Sequence, residues 1–153
     1  TLTTDKIYNA FYADYEERKT FFHGHTFSAN PLGCSAALAS LKIFEEERTL
    51  EKIKKIMPLF SNLIEKFRGL ALAGDVRHIG LIGAIELVKY KKTKKSFTLK
   101  EQVGLEVYKR GLKKNLILRP LGSIIYLFLP LSIKEYELKD ILARTYSVIK
   151  SLG

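Results

Sequence analysis

Residues 23–34 carry the backbone and side-chain groups best suited to bind a ligand. Gly24, Thr26 and Ser28 make a flexible segment with two hydroxyls. Asn30 follows, with a proline after it, which is typical of a helix start because Asn caps well and proline suits the first helical position. N–H groups and hydroxyls beside a helix N-terminus favour an anion such as phosphate. The residues alone leave two interpretations open, a phosphate-binding loop or a capped junction without a ligand.

Arg119 is the second candidate, at the end of the apolar segment 116–118 and directly before Pro120. A planar guanidinium pairs with a carboxylate through two parallel hydrogen bonds, which a lysine cannot reproduce. Arg119 is therefore a candidate for binding an acidic substrate, although a charge before a turn is often an ordinary surface residue. Tyr126 lies in the next apolar segment and is either a pocket residue or a core aromatic.

Metal binding finds no support in the sequence. His23 and His25 lie too close together in a predicted loop to indicate a metal site on their own. Asp75, His78 and Glu86 lack the spacing of convergent metal ligands. We therefore predict no metal site and a structural role for His78 and Glu86.

Composition favours one globular chain of ordinary domain size. The 153 residues are 46% hydrophobic and 11% aromatic, and the formal net charge is +10. A positive charge of this size makes nucleic acid a possible partner. Five lysines cluster in one short segment: Lys89, Lys91, Lys92, Lys94 and Lys95. Because no aromatic stacking platform surrounds them, we predict a solvated loop and no nucleic-acid partner, and keep a basic binding module as an alternative.

The single cysteine, Cys34, excludes an internal disulfide and agrees with a cytoplasmic location. It lies among small residues and is predicted to pack in the interior. No apolar run approaches the length of a membrane span, and the residues after Thr1 do not resemble a signal peptide. The chain is expected to be part of a longer protein.

Apolar periodicity predicts the order of the elements. Helices are expected over residues 4–20, 31–47, 49–68, 98–114 and 133–151, and strands over 75–88, 116–119 and 123–130. Gly80 and Gly83 should interrupt the first strand region. From residue 49 the order is α-β-β-α-β-β-α, which indicates an α+β fold with helices on one face of a small, mainly antiparallel sheet.

Helix ends are also predicted. Thr49 should cap the second long helix, and Pro58 should kink or divide it. Two later helices should open with capping boxes: Thr98 with Glu101, and Ser132 with Glu135.

Four segments together resemble one family, the class III pyridoxal-phosphate-dependent aminotransferases. They are residues 1–4, 23–34, 75–87 and 118–127. The resemblance implies a fold-type I enzyme: residues 1–47 would end the α/β cofactor-binding large domain, and 48–153 would form the α+β C-terminal small domain. The sequence departs from the family at Ala29, where Gly is common, and at Leu129, where a Pro-Pro pair is usual.

The resemblance implies roles for individual residues. The backbone of His25 and the hydroxyl of Thr26 would bind the phosphate of pyridoxal 5'-phosphate. Thr26 would do so in the partner's site of a homodimer. Gly24 would border the substrate, Arg119 would bind the substrate carboxylate, and Tyr126 would lie near the same pocket.

The last segment, 118–127, favours the biotin-synthesis branch of the family. That implies transfer of an amino group from S-adenosylmethionine to 8-amino-7-oxononanoate, giving 7,8-diaminononanoate. The lysine that forms the Schiff base would lie upstream of Thr1, so this chain alone should contain no catalytic residue and be inactive. Ornithine, acetylornithine and ω-amino acid aminotransferases remain alternatives.

Overall fold

The computed structural model describes residues 2–153, which divide into two compact units between Leu41 and Lys42. The first unit holds helix α1 (Asp5–Phe11), a 3₁₀ turn (Tyr15–Glu17) and most of helix α2 (Pro31–Glu46). α1 is shorter than predicted, because its chain turns extended at Tyr12. Every described residue of this unit is exposed, so the prediction that Cys34 is packed is wrong.

The second unit follows the predicted order of elements, with one short strand, β3 (Lys95–Ser96), that was not predicted. The elements are α3 (Thr49–Glu65), β1 (Ala73–Ile79), β2 (Ile82–Tyr90), β3 (Lys95–Ser96), α4 (Val103–Leu112), β4 (Pro120–Leu121), β5 (Ile124–Phe128) and α5 (Glu135–Lys150). Short 3₁₀ turns cover Lys66–Gly69 and Leu99–Glu101. Within the described chain, no helix combines the length and apolar character needed to cross a membrane.

The sheet is antiparallel, as predicted, with the order β1-β2-β5-β4 and with β3 paired to β2. Its two faces differ in burial because side chains alternate along each strand. One face is covered and holds Ile85, Leu87, Ile125 and Leu127. The other, which we call the open face, carries three cross-strand pairs of β2 and β5: Ile82 with Phe128, Ala84 with Tyr126, and Glu86 with Ile124.

Helices α3, α4 and α5 supply the rest of the core. Its largest fully buried side chains include Phe60, Ile64, Val107, Leu138 and Ile149. Thr145 is the buried polar residue of α5, and its hydroxyl donates to the carbonyl of Ile141 (2.8 Å). Among the described residues, every buried side-chain polar atom has a partner, so the core is apolar and satisfied.

The predicted interruptions and the predicted cap of α3 form only in part. Gly80 makes the turn between β1 and β2, with φ +58°, but Gly83 continues β2. Gly83 is needed for packing instead, because a Cβ there would overlap the Ile64 side chain of α3. α3 also runs through Pro58 without dividing, and its cap is Arg48 in the left-handed region, not Thr49.

Two predicted starts are displaced. The Thr98–Glu101 capping box forms, with the N–H of Thr98 donating to Glu101 (2.8 Å), but it opens a 3₁₀ turn and α4 begins only at Val103. In α5 the capping carboxylate is Glu137, which accepts from the N–H of Lys134 (2.8 Å), not Glu135. Residues 116–119 are extended but unpaired, and pairing begins at Pro120.

Candidate active site

Thr26 lies in a tight turn shortly before helix α2. The N–H of Ser28 donates to the carbonyl of His25 (2.9 Å), and the N–H of His25 donates to the hydroxyl of Ser28 (3.1 Å). These bonds close the turn from both ends, so Ser28 fixes the backbone around Thr26. From the sequence, Ser28 is only one of the two hydroxyls of the loop, although a serine hydroxyl can accept from a backbone N–H three residues earlier and so close a turn.

Thr26 keeps its own donors free. Within residues 2–153, neither its N–H nor its hydroxyl makes a hydrogen bond. Helix α2 follows at once, and Asn30 caps it as predicted, with Oδ1 accepting from the N–H groups of Leu32 (2.9 Å) and Gly33 (3.3 Å). Two unused donors near the positive end of a sixteen-residue helix suit an anionic ligand.

The neighbours of Thr26 differ in their contacts and backbone conformation. Both backbone polar groups of His25 are engaged with Ser28, and its ring stacks on Phe27, with ring centroids 5.0 Å apart. Gly24 has no atom within 4 Å of the place a Cβ would take, so open space lies beside it. Ala29 has φ +57°, a left-handed conformation that favours glycine.

Arg119 and Tyr126 lie on one β-hairpin of the second unit. β4 pairs with β5 through Pro120 with Ile125 and Leu121 with Ile124, and Gly122 makes the turn with φ +60°. Extending this register by one residue sets Arg119 opposite Tyr126. Directly opposed residues of an antiparallel pair share a face, so both belong to the open face of the sheet.

The guanidinium of Arg119 differs from most others in the chain. Five arginines pair with carboxylates: Arg48, Arg68, Arg77, Arg110 and Arg144. Within the part of the chain that the structure describes, Arg119 is exposed and has no carboxylate partner. The open face also carries Leu121 and Phe128, each more than two thirds exposed. This surface can accept a carboxylate attached to an aliphatic chain.

Comparison with known proteins assigns the family. The family model described as Aminotransferase class-III matches residues 1–149. The chain belongs to the class III aminotransferases. It is 43% identical over 152 residues to the adenosylmethionine-8-amino-7-oxononanoate aminotransferase of Aquifex aeolicus, covering 99% of this chain and 34% of the relative.

Two solved structures support the same class III fold. The crystal structure of adenosylmethionine-8-amino-7-oxononanoate aminotransferase from Methanocaldococcus jannaschii has a TM-score of 0.93 at 42% identity, covering 97% of this chain and 34% of that one. The PMP-bound form of an aminotransferase from Vibrio fluvialis has a TM-score of 0.83 at 26% identity, covering 90% and 30%. This class III chain therefore spans about a third of the length of the relatives it matches. Its predicted fold class is confirmed.

The class III segment at 75–87 forms an ion network. Arg77 lies on β1 between Asp75 (2.9 Å) and, across to β2, Glu86 (3.4 Å). The Arg77 hydrogen bond lowers the pKa of Asp75, and Arg68 likewise lowers the pKa of Glu65. These charges tie β1 to β2 and to the end of α3.

His78 contacts both Ser61 (3.3 Å) and Glu65 (3.5 Å). Both contacts use the same ring atom, Nε2. A nucleophilic triad needs the acid on one ring nitrogen and the hydroxyl on the other. The geometry therefore excludes a triad and agrees with a structural His78.

Two lysines of the basic segment are used within the fold. Lys89 pairs with Glu101 (2.6 Å), and this bond together with two hydrogen bonds from Thr98 lowers the pKa of the Glu101 carboxyl to about 2. Lys91 donates to the carbonyls of Arg68 and, at 3.1 Å, Leu70, which end the 3₁₀ turn after α3. The segment is thus only partly the solvated loop that we predicted.

A cleft of about 540 Å³ lies between the start of α4 and the β4–β5 hairpin. Its walls are mostly apolar and include Phe97, Leu105 and Ile124, and Glu86 is its charged residue. Neither Arg119 nor Tyr126 lines it, but the cleft shares Glu86 and Ile124 with the open face.

Proposed function

We propose that the full-length protein is a pyridoxal-phosphate-dependent aminotransferase of biotin synthesis. It would move an amino group from S-adenosylmethionine to 8-amino-7-oxononanoate and so make 7,8-diaminononanoate. The observation that carries this proposal is the exposed guanidinium of Arg119, which has no carboxylate partner among the described residues and directly precedes the β4–β5 hairpin that holds Tyr126. The names and 42–43% identities of the Aquifex and Methanocaldococcus proteins support it.

Arg119 binds and orients the acceptor in this proposal. 8-Amino-7-oxononanoate has a carboxylate at one end of an alkyl chain and its ketone near the other. A two-pronged pairing with Arg119 would fix the carboxylate, while apolar neighbours such as Ile124 and Phe128 would contact the methylene groups. Tyr126 would line the same surface. Binding at the remote end would thus hold the ketone at a set distance from Arg119.

The Thr26 loop binds the cofactor phosphate in this proposal. Its free N–H and hydroxyl fit a phosphate oxygen, and Ser28 holds both in place through His25. Gly24 leaves room for the substrate. When bound, pyridoxal phosphate supplies the electron sink through which the amino group passes. The lysine that anchors it is expected in the part of the relatives' length that this chain does not span.

We further propose that the protein is a homodimer, in which Thr26 serves the cofactor of the second copy. Residues 1–47 would complete the large domain and 48–153 would form the small domain. The exposure of the first unit agrees with this, since the large aromatic side chains of Phe21, Phe22 and Phe27 are each more than half exposed. A cytoplasmic location fits the free thiol of Cys34.

Turnover of the full-length protein tests the proposal. We expect 7,8-diaminononanoate from 8-amino-7-oxononanoate and S-adenosylmethionine. Arg119→Ala should raise KM for this acid by about 10- to 100-fold, the range of a lost charge-assisted hydrogen bond. KM for the methyl ester of the same acceptor should stay unchanged.

Two further variants sharpen the test. Arg119→Lys should lie between wild type and Arg119→Ala, because it keeps the charge but loses the planar fork. Lys92→Ala removes an exposed cation from the turn after β2 and should change nothing. Turnover of ornithine or an ω-amino acid, with no product from 8-amino-7-oxononanoate, would refute the assignment in favour of another class III reaction.

A further inference from the structure

Two glycines of α4, Gly104 and Gly111, are buried against the segment that carries Arg119. They are seven residues apart, which is two helical turns, so they lie on the same face of α4. Glycine is a poor residue for a helix interior, and two on one buried face require a reason. We call this pair the glycine track.

Contact with the backbone of residues 116–122 supplies the reason. A Cβ at Gly104 would overlap the carbonyl oxygen of Gly122 and come within 2.7 Å of the Pro120 Cβ. A Cβ at Gly111 would lie 2.8 Å from the carbonyl oxygen of Leu116. Cβ atoms essentially never approach other atoms within 3.0 Å, so any side chain on the track would displace backbone.

The same segment is tied to α4 at its start. The N–H of Leu116 donates to the carbonyl of Gly111 (3.0 Å), and Leu118 is buried. Pro120 contacts Gly104 at the far end. Arg119 is exposed between the buried Leu118 and the half-buried Pro120, so α4 holds the backbone on both sides of the guanidinium.

We infer that Gly104 and Gly111 are positioning residues, which set where the guanidinium of Arg119 stands. This inference rests on the proposed role of Arg119. Paired hydrogen bonds to a carboxylate weaken steeply when distance and angle change. A methyl group at position 104 would push on Pro120 and Gly122, which lie one and three residues after Arg119. The guanidinium would then move away from the position in which it pairs with the substrate carboxylate.

Kinetics of the full-length protein test the inference. Gly104→Ala should raise KM for 8-amino-7-oxononanoate roughly tenfold, approaching loss of one charge-assisted bond, and leave KM for its methyl ester unchanged. Gly111→Ala has the milder overlap and should raise KM for the acid by less. It replaces Gly104→Ala as the test if that variant does not fold. Gly69→Ala is the matched control, because no atom lies within 4 Å of the added methyl.

A double mutant separates positioning from general damage. In an Arg119→Ala background, Gly104→Ala should raise KM no further. Equal rises for acid and ester, or a further rise in that background, would overturn the inference, as would an unchanged KM in both glycine variants. If Arg119→Ala itself leaves KM for the acid unchanged, both the proposed function and the inference fail. If Arg119→Ala raises KM for the acid alone but neither glycine variant does, only the inference is refuted.

Discussion

Gly83 allows α3 to pack closely on the sheet, and adding one methyl group there tests that packing. Gly83 lies in β2 on the covered face, opposite His78 and Leu127. An alanine Cβ would overlap the Cδ1 of Ile64 and lie 3.0 Å from the Phe60 ring. Both of those side chains are fully buried, so neither has free space to move into.

The expected cost follows from the overlap. Inserting a methyl group into a packed core costs about 1–3 kcal/mol, so Gly83→Ala should lower the free energy of unfolding by that amount. Ile64→Val alone should cost about 0.5–1.5 kcal/mol. Since Ile64→Val removes the Cδ1 that the new methyl meets, the double mutant should resemble Ile64→Val alone. The two changes should therefore be coupled by roughly 1 kcal/mol or more.

Urea unfolding of the chain, followed by circular dichroism at a helix wavelength, measures these differences. Gly69→Ala again is the control, since its methyl would project into open space, and it should not destabilise. Additive effects in the double mutant, or a Gly83→Ala variant as stable as wild type, would refute the argument that α3 occupies the space beside this glycine.

Three other predictions concern the Thr26 loop and the start of α4. Ala29→Gly should relieve a left-handed backbone and raise the melting temperature of the full-length protein, whereas the same change at Ala39, inside α2, should lower it; equal shifts would contradict this. Ser28→Ala should weaken pyridoxal phosphate binding several-fold in a spectrophotometric titration, because it frees the His25 N–H; an unchanged Kd would count against the loop. Glu101 has a folded pKa of about 2, below its ordinary 4.5, so its stabilisation is full above pH 4.5 and is lost as the pH falls towards 2. The difference in urea midpoint between wild type and Glu101→Gln should shrink over that interval, and a constant difference would refute it.

Much of the fold could be predicted because local signals and tertiary structure agree. Helix α2 begins at Pro31 behind the Asn30 cap, as expected, and the order of elements from residue 49 is correct apart from the added short strand β3. The apolar run 123–130 predicted a strand, and β5 (Ile124–Phe128) lies within it. These features depend on neighbouring residues along the chain.

Other features depend on residues distant in sequence and could not be predicted. From the sequence, Gly83 was predicted to interrupt the strand. Its role becomes clear only from the Ile64 side chain, which occupies the space that a Cβ at position 83 would need. Lys91 reads as one solvated charge among five, yet it reaches carbonyls more than twenty residues earlier. The reason for Gly104 and Gly111 in α4 is likewise visible only in the structure, where residues 116–122 pack against them.

The candidate site also contains residues that could be predicted from the sequence and one whose role could not. Thr26 and Arg119 could be selected from residue type and motif, and the structure leaves both without a partner among the described residues. Ser28 was underestimated, because its importance lies in a hydrogen bond to His25 and not in a ligand.

A crystal structure of the full-length protein with 8-amino-7-oxononanoate tests the central claim most directly. The claim is that Arg119 binds the carboxylate of the acceptor. We predict both carboxylate oxygens at about 2.7–2.9 Å from the Arg119 guanidinium nitrogens, with the alkyl chain along the open face near Tyr126. A carboxylate bound by another cation, with Arg119 facing solvent, would contradict the account.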